Sequence, residues 1–129
     1  MASIFSKIIA GEIPAHKIAE NDDFLAFLDI MPLKEGHTLV IPKKETDYIF
    51  DLNDKALADM MVFAKEISGK IKSAFPCNRI GVTVIGLEVP HAHMHLIPIN
   101  TLDDMNFSKP KLQISSVRLA EIAEKIRTA

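Results

Sequence analysis

The chain has 129 residues, a near-balanced charge of 15 basic and 17 acidic residues, and one cysteine, Cys77. This length fits a single domain over residues 1–129 with a substantial core, and a net charge of −2 gives no argument for nucleic acid or an anionic membrane as a partner. One cysteine excludes an internal disulfide framework and a cysteine-based zinc site. Because no apolar run is long enough to span a membrane and the N-terminus lacks signal-peptide order, we expect a cytoplasmic protein.

The N-terminal segment predicts a short amphipathic helix. Ser3 is a favoured helix-capping residue, Gly11 is a favoured stop, and the apolar residues between them recur at helical spacing. Three short apolar segments separated by turn residues follow, and each predicts a β-strand. These strands cover residues 16–20, 24–30 and 37–41.

The second strand carries an isolated acidic group. Leu25, Phe27 and Asp29 share one face of it because side chains alternate along a strand, and Asp29 is the single carboxylate on that face. The third strand opens with His37. A single carboxylate on an apolar face is conspicuous, although aspartate is also favoured for structural reasons near turns.

Two further helices are predicted because apolar residues recur every three or four positions. The principal helix covers residues 53–75, and a final helix begins near Ser115 or Ser116. The stripe of the principal helix comprises Leu57, Met60, Met61, Ala64, Ile67, Ile71 and Phe75. The stripe of the final helix comprises Val117, Leu119, Ala120, Ile122, Ala123 and Ile126.

The last two predicted strands form a hairpin. Residues 79–85 are rich in β-branched side chains, and residues 86–90 make a turn that leads into a stretch containing three histidines. So short a connection requires antiparallel pairing. Residues 100–115 are polar, contain Pro110 and lack a clear period, so we expect them to wrap the surface.

The histidine stretch is the main functional candidate. His91, His93 and His95 alternate with apolar residues, which predicts a strand with all three imidazoles on one face. Two chemical uses are open: zinc binding, with His37 as a further ligand, or nucleophilic and acid–base catalysis. Solvated histidines on an exposed sheet face are the third alternative.

The same stretch resembles the signature of the histidine-triad (HIT) family of nucleotide hydrolases and transferases, in which three histidines alternate with apolar residues. The sequence His91-Ala-His-Met-His-Leu-Ile-Pro98 carries it. The resemblance covers residues 3–99 in the family's order and is nearest to the purine nucleoside phosphoramidase-like branch. The supporting blocks are Ile4–Pro14, Ala26–Pro32 and Gly36–Lys43.

This resemblance implies an α+β fold with an antiparallel sheet of about five strands, one long central helix, and short N-terminal and C-terminal helices. It implies a homodimer that binds a purine nucleotide or nucleotide conjugate, with no nucleic acid or membrane partner. His93 would attack the α-phosphorus of a nucleoside phosphoramidate, a dinucleoside polyphosphate or a related conjugate. Water would then release a mononucleotide from the nucleotidyl-histidine intermediate.

The resemblance also assigns roles to individual residues. His91 and His37 would orient and polarise His93, while His95 would contact phosphate oxygens. Asp29 would bind the ribose hydroxyls. The apolar base pocket would consist of Ile4, Phe5, Ile8, Phe27 and Ile30.

Catalysis by a neutral imidazole requires no metal cofactor. Magnesium is compatible with polyphosphate substrates, although the sequence shows no ligand set for it.

The sequence departs from the family pattern at three places before the triad. Many relatives have an asparagine shortly before the glycine that precedes the triad, whereas residues 80–85 contain no amide side chain. Leu87 stands where many relatives have a phosphate-binding glutamine, and Glu88 stands where several have a small hydroxyl residue that assists the leaving group. A carboxylate there would repel an anionic substrate, attract a cationic leaving group, or point away. The alternatives are therefore a nucleotide-binding sensor or interaction dimer with little catalysis, and a metal-dependent enzyme using His91, His93 and His37.

Overall fold

A five-stranded antiparallel sheet with three helices forms the α+β architecture of the computed structural model, which describes residues 2–129. This arrangement confirms the predicted fold class. Two 3₁₀ turns, Ile49–Asp51 and Leu102–Met105, complete the regular structure. The elements are α1 (Ile4–Ile9), β1 (Lys17–Glu20), β2 (Phe24–Leu28), β3 (Thr38–Pro42), α2 (Asp54–Ala74), β4 (Arg79–Val84), β5 (Met94–Ile99) and α3 (Ser116–Arg127).

The helix starts follow from capping residues. The Ser3 side chain accepts a hydrogen bond from the Ser6 N–H at the start of α1, and Asn53 and Ser115 cap α2 and α3 in the same way. Each cap satisfies an N–H that has no partner within its helix. The predicted helix bounds agree with the structure to within one or two residues.

The strands lie in the order β1-β2-β3-β5-β4, and all neighbours are antiparallel. The prediction that the histidine strand starts at His91 is wrong, because β5 begins only at Met94. The N–H groups of His91 and Ala92 donate to the carbonyls of Val89 and Thr46, so they are not available to the sheet. The first two triad histidines, His91 and His93, therefore lie in the loop that enters the strand, and only His95 is part of β5.

One face of the sheet packs against α2 and α3. The core on this side contains Met60, Ile67 and Ile71 of α2 together with Ile122 and Ile126 of α3. The two predicted helix stripes are correct except at positions on their margins. Those exposed exceptions are Met61, Val117 and Ala120.

The opposite face is covered by a single short helix. Phe5 and Ile8 of α1 pack on the alternate side chains of β2 and β3. Phe27 and Leu39 are among these, and they continue toward Asp29, which follows the end of β2. This face holds the candidate site.

The segment after β5 does more than wrap the surface. Its 3₁₀ turn is capped by Thr101 and Asp104, and the Leu112 N–H donates to the Pro32 carbonyl on the sheet side. These contacts bring Phe107 against the ring of His95. None of the helices formed by residues 2–129 has the length and apolar character needed to cross a membrane.

Candidate active site

A cavity of about 530 Å³ opens on the face of the sheet that α1 covers. Its walls come from α1, β2, the loop that precedes β5, β5 itself and the tail after β5. Nine of the residues predicted for the site line it, so segments far apart in the sequence meet around one space. They are Ile4, Phe5, Ile8, Phe27, Asp29, Ile30, Glu88, His93 and His95.

The apolar part of the cavity is built around Phe5. Its ring lies edge-on to Phe27 at 5.5 Å between centroids and edge-on to His93 at 5.0 Å. Ile4 and Ile30 are at least half exposed and flank the opening. The arrangement provides an apolar surface for a planar ring next to the imidazole of His93.

Asp29 lies where the apolar wall meets the histidines. Its Oδ1 accepts a hydrogen bond from the Met31 N–H at 2.8 Å, and its side chain is 20% exposed. Burial raises the pKa of this carboxyl, while the Met31 hydrogen bond and the charges of His93 and Lys111 act in the opposite direction. A partly exposed carboxylate oxygen is suited to accept hydrogen bonds from ligand hydroxyls.

The protonation of His93 follows from its hydrogen bond. Nδ1 lies 2.8 Å from the carbonyl oxygen of His91, and a carbonyl only accepts, so Nδ1 carries the hydrogen. In the uncharged form of the ring the lone pair is therefore on Nε2. Because His93 lines the cavity, this nitrogen has the form that a nucleophile requires.

His37 and His95 form a relay with a fixed direction. The Leu33 N–H donates to Nδ1 of His37, which leaves the hydrogen on Nε2, and Nε2 lies 2.9 Å from Nδ1 of His95. His95 accepts there and so carries its own hydrogen on Nε2. Burial lowers the pKa of His37 to about 3 and that of His95 to about 4, so both rings are neutral at neutral pH.

His91 is a buried support. Its Nε2–H donates to the Pro42 carbonyl at 2.7 Å, and its Nδ1 accepts from the Ser3 hydroxyl at 2.7 Å. Both ring nitrogens are therefore occupied, and burial lowers the pKa of the ring. His91 acts on His93 through its backbone carbonyl, whereas His37 contacts His95. Of the two residues predicted to orient His93, His91 therefore acts through its backbone and not its ring, and His37 contacts His95 instead.

Sequence reasoning missed a network that fixes α1 to the triad. The Ser3 N–H and the Ser6 hydroxyl both donate to Oε1 of Glu45, while the Ser3 hydroxyl reaches His91. Hydrogen bonds from Ser3 and Ser6 lower the pKa of Glu45 to about 2. The capping signal at Ser3 was visible in the sequence, but its second partner lies 88 residues away along the chain.

Phe107 and Lys111 were also missed. Both line the cavity, and the Phe107 ring lies edge-on to His95 at 4.9 Å between centroids. They come from the irregular segment after β5, where no periodicity marks them. Leu87 and Glu88 lie exposed on the loop before β5, at the rim of the cavity, and Leu87 is 89% exposed.

One cluster has the composition of a metal site. Ligand atoms of Asp29, His37 and His95 lie within 4.8 Å of one another. A metal there would have to replace the His37–His95 hydrogen bond and move the His37 hydrogen to Nδ1, where the Leu33 N–H already donates. The His91, His93 and His37 set considered from the sequence does not form such a group in the part of the chain that the structure describes.

The sheet, the long helix and the clustered histidines define an α+β fold of the histidine-triad type. A profile of the HIT domain matches residues 10–102, and the chain belongs to this family.

Three similar proteins illustrate the relationship. The adenosine 5'-monophosphoramidase hnt1 of Schizosaccharomyces pombe is 34% identical, with 98% of this chain and 96% of that protein covered. The crystal structure of a Hit-like protein involved in cell-cycle regulation from Bartonella henselae, with unknown ligand, has a TM-score of 0.84 and 34% identity, with 98% of this chain and 95% of that one covered. A Zn-bound histidine triad family protein from Mycobacterium smegmatis has a TM-score of 0.80 and 28% identity, with coverages of 99% and 92%.

Proposed function

We propose that the protein is a nucleotide hydrolase or transferase that attacks the α-phosphate of a nucleoside phosphoramidate, a dinucleoside polyphosphate or a related conjugate. The observation that carries the proposal is the tautomer of His93, whose Nδ1–H is held by the His91 carbonyl so that Nε2 is free at the cavity. The similarity to a protein named as an adenosine 5'-monophosphoramidase supports a phosphoramidate substrate.

The chemistry proceeds in two displacements at phosphorus. Nε2 of His93 forms a bond to the α-phosphorus as the bond to the leaving group breaks, and the leaving group takes up a proton from solvent. Water then attacks the phosphorus of the nucleotidyl-histidine as the phosphorus–Nε2 bond breaks and gives up a proton to solvent, which releases a nucleoside monophosphate and neutral His93. The intermediate carries positive charge on the ring, which the His91 carbonyl stabilises through Nδ1–H.

His95 would stabilise the negative charge that develops on phosphate oxygens. Its Nε2–H is the donor left free by the hydrogen bond from His37 to Nδ1. Because the ring is neutral and its orientation is fixed through His37 and Leu33, little reorganisation is needed during the reaction. Glu88, exposed at the cavity rim, would attract a cationic amine in the leaving group.

The base and ribose would occupy the apolar end of the cavity. Phe5 and Phe27, which lie edge-on to one another, would form the apolar wall against the base, and Asp29 would accept hydrogen bonds from the ribose hydroxyls. We expect Asp29→Asn to weaken AMP binding about tenfold, because the amide replaces one acceptor oxygen by a donor. Binding of 2',3'-dideoxy-AMP, measured by calorimetry, should be unaffected by the same substitution.

The decisive experiment is intact-protein mass spectrometry after brief mixing with an adenosine phosphoramidate and quenching without acid. Wild-type protein should gain the mass of one adenylyl group, and His93→Ala should gain none and lose at least about 10⁴-fold in turnover. His16→Ala, outside the cavity, is the matched control. Absence of an adduct and of released AMP, together with AMP binding, would instead support a nucleotide-binding sensor.

No metal is required for this reaction scheme, because a neutral imidazole attacks phosphorus without prior deprotonation. Magnesium would act only by binding the phosphates of a polyphosphate substrate. Turnover of a phosphoramidate should therefore be the same before and after dialysis against EDTA. Loss of turnover that zinc restores would point to the cluster of Asp29, His37 and His95 as a catalytic metal site.

The edge of the sheet supports the proposed homodimer. β4 pairs with β5 and forms an edge strand, and Val82 and Ile85 at this edge are each nearly half exposed. An edge strand with exposed apolar side chains favours pairing with a second chain. Light scattering of the wild type should give the mass of two chains, and Val82→Lys should shift it toward one.

A further inference from the structure

The segment after the matched family region returns to the cavity with two side chains. The HIT profile ends at residue 102, yet Phe107 and Lys111 line the same space as His93 and His95. The segment is held in place by the Leu112 N–H, which donates to the Pro32 carbonyl. It is therefore part of the site and not only of the surface.

The charge of the cavity lining is uneven. Among the described residues that line it, Lys111 is the only lysine or arginine, whereas Asp29 and Glu88 are acidic. Burial lowers the pKa of His95 to about 4, so this histidine offers a hydrogen bond without a positive charge. An anionic ligand in the cavity would thus depend on Lys111 for a cationic contact.

The ammonium group of Lys111 is partly committed to its own segment. Nζ donates to the Phe107 carbonyl at 2.6 Å and lies 3.4 Å from the Lys109 carbonyl. An ammonium group has three donors, so one remains for a ligand. Phe107 itself packs against His95, and this places the lysine beside the triad.

The positive charge of Lys111 affects the pKa values of three neighbouring groups, which agrees with this placement. Burial raises the pKa of Asp29 and lowers the pKa values of His37 and His95. The positive charge of Lys111 lowers all three pKa values. The lysine therefore faces the region where the proposed ribose and phosphate sites meet.

We propose that Lys111, in the segment after β5, binds the anionic phosphate of the nucleotide through the donor of its ammonium group that remains free. The inference rests on the proposed function, since it requires that a nucleotide occupies this cavity. It makes a residue outside the matched family region a determinant of affinity for the phosphate group.

The test compares ligands that differ only in the phosphate. Affinities of the full chain for AMP and for adenosine are measured by calorimetry in wild type, Lys111→Met and Lys111→Arg. Lys111→Met should weaken AMP binding about tenfold, the loss expected for one charge-assisted hydrogen bond, and leave adenosine binding unchanged. Lys111→Arg should retain most of the preference for AMP, because it keeps the charge.

A matched control removes the same charge nearby. Lys109 lies in the same segment but bonds to Asp103 at 3.0 Å, outside the cavity, so Lys109→Met should leave both affinities unchanged. Equal weakening of AMP and adenosine in Lys111→Met would show that the lysine merely holds Phe107 in place, and would overturn the inference. If wild type binds neither ligand, the proposed function itself fails, and this proposal fails with it.

Discussion

The two faces of the sheet have different structures and different tasks. On one face, α2 and α3 bury a continuous apolar layer in which Met60, Ile71 and Ile126 are completely inaccessible. The other face is covered by the six-residue α1, which shields part of the sheet and leaves a cavity beside the histidines. The closed face provides stability, and this stability allows the open face to keep buried polar groups and an unfilled space.

Shortening a side chain on the closed face should have the largest effect on stability. Ile71→Ala removes a fully buried side chain from α2 and leaves a space that the surrounding helices and sheet cannot fill. We expect the free energy of unfolding to fall by about 2–5 kcal/mol, measured by urea denaturation. The KM for the nucleotide substrate should stay unchanged at temperatures where the variant is folded.

The equivalent shortening of a side chain on the open face should affect binding more than stability. Ile8 of α1 is buried but lines the cavity, so Ile8→Ala enlarges a space that already exists. It should therefore destabilise the fold less than Ile71→Ala and raise KM. A variant pair with the opposite pattern would show that the two faces do not divide stability and binding in this way.

Acid should destabilise the protein through the open face. The pKa of His37 is lowered to about 3 and that of His95 to about 4, so the unfolded chain binds more protons than the folded one below the ordinary value of 6.5. The contribution of these two histidines to the free energy of unfolding is therefore complete above pH 6.5 and is lost as pH falls toward 4. Each of these histidines contributes a slope of up to about 1.4 kcal/mol per pH unit.

Urea denaturation between pH 7.5 and 4.5 measures this slope. His37→Gln should be less stable than wild type at neutral pH but should show a shallower pH dependence, because one of the buried imidazoles with a lowered pKa is gone. His16→Gln serves as the control, since His16 lies outside the cavity lining. An unchanged slope in His37→Gln would mean that other groups cause the acid sensitivity.

The regular elements were predictable because each has a local signal. Helical spacing and capping residues located α1, α2 and α3. Alternation predicted that Phe27 and Asp29 share a face, and both line the cavity although β2 ends at Leu28, one residue before Asp29. The start of β5 was misplaced because backbone hydrogen bonds to Val89 and Thr46, which are contacts of the folded loop, compete with the sheet.

The parts of the site that escaped prediction depend on long-range contacts. Phe107 and Lys111 lie in a segment without periodicity, and the Leu112–Pro32 hydrogen bond that helps to place them joins distant parts of the chain. The directions of the hydrogen bonds around His93 and His95 depend on backbone carbonyl and N–H partners, which no side-chain pattern reports. Residue types therefore indicated the chemistry, while the tautomers required the fold.

The smallest of these effects is expected where α1 is joined to the loop that carries His91. The Ser3 hydroxyl caps α1 through the Ser6 N–H and donates to Nδ1 of His91. Ser3→Ala removes the cap and leaves a buried ring nitrogen without a donor, so we expect a loss of about 1–3 kcal/mol in the free energy of unfolding. Ser3→Thr keeps the hydroxyl and should restore most of this stability.

The same substitution should also affect binding, because α1 carries Ile4, Phe5 and Ile8 of the cavity wall. A loosened helix would raise KM more than it lowers kcat, since His93 is held by the His91 carbonyl and not by the His91 ring. Steady-state kinetics of Ser3→Ala and Ser3→Thr test this division. A fall in kcat with KM unchanged would show that the His91 ring acts on the nucleophile directly, and that the link to α1 serves catalysis more than binding.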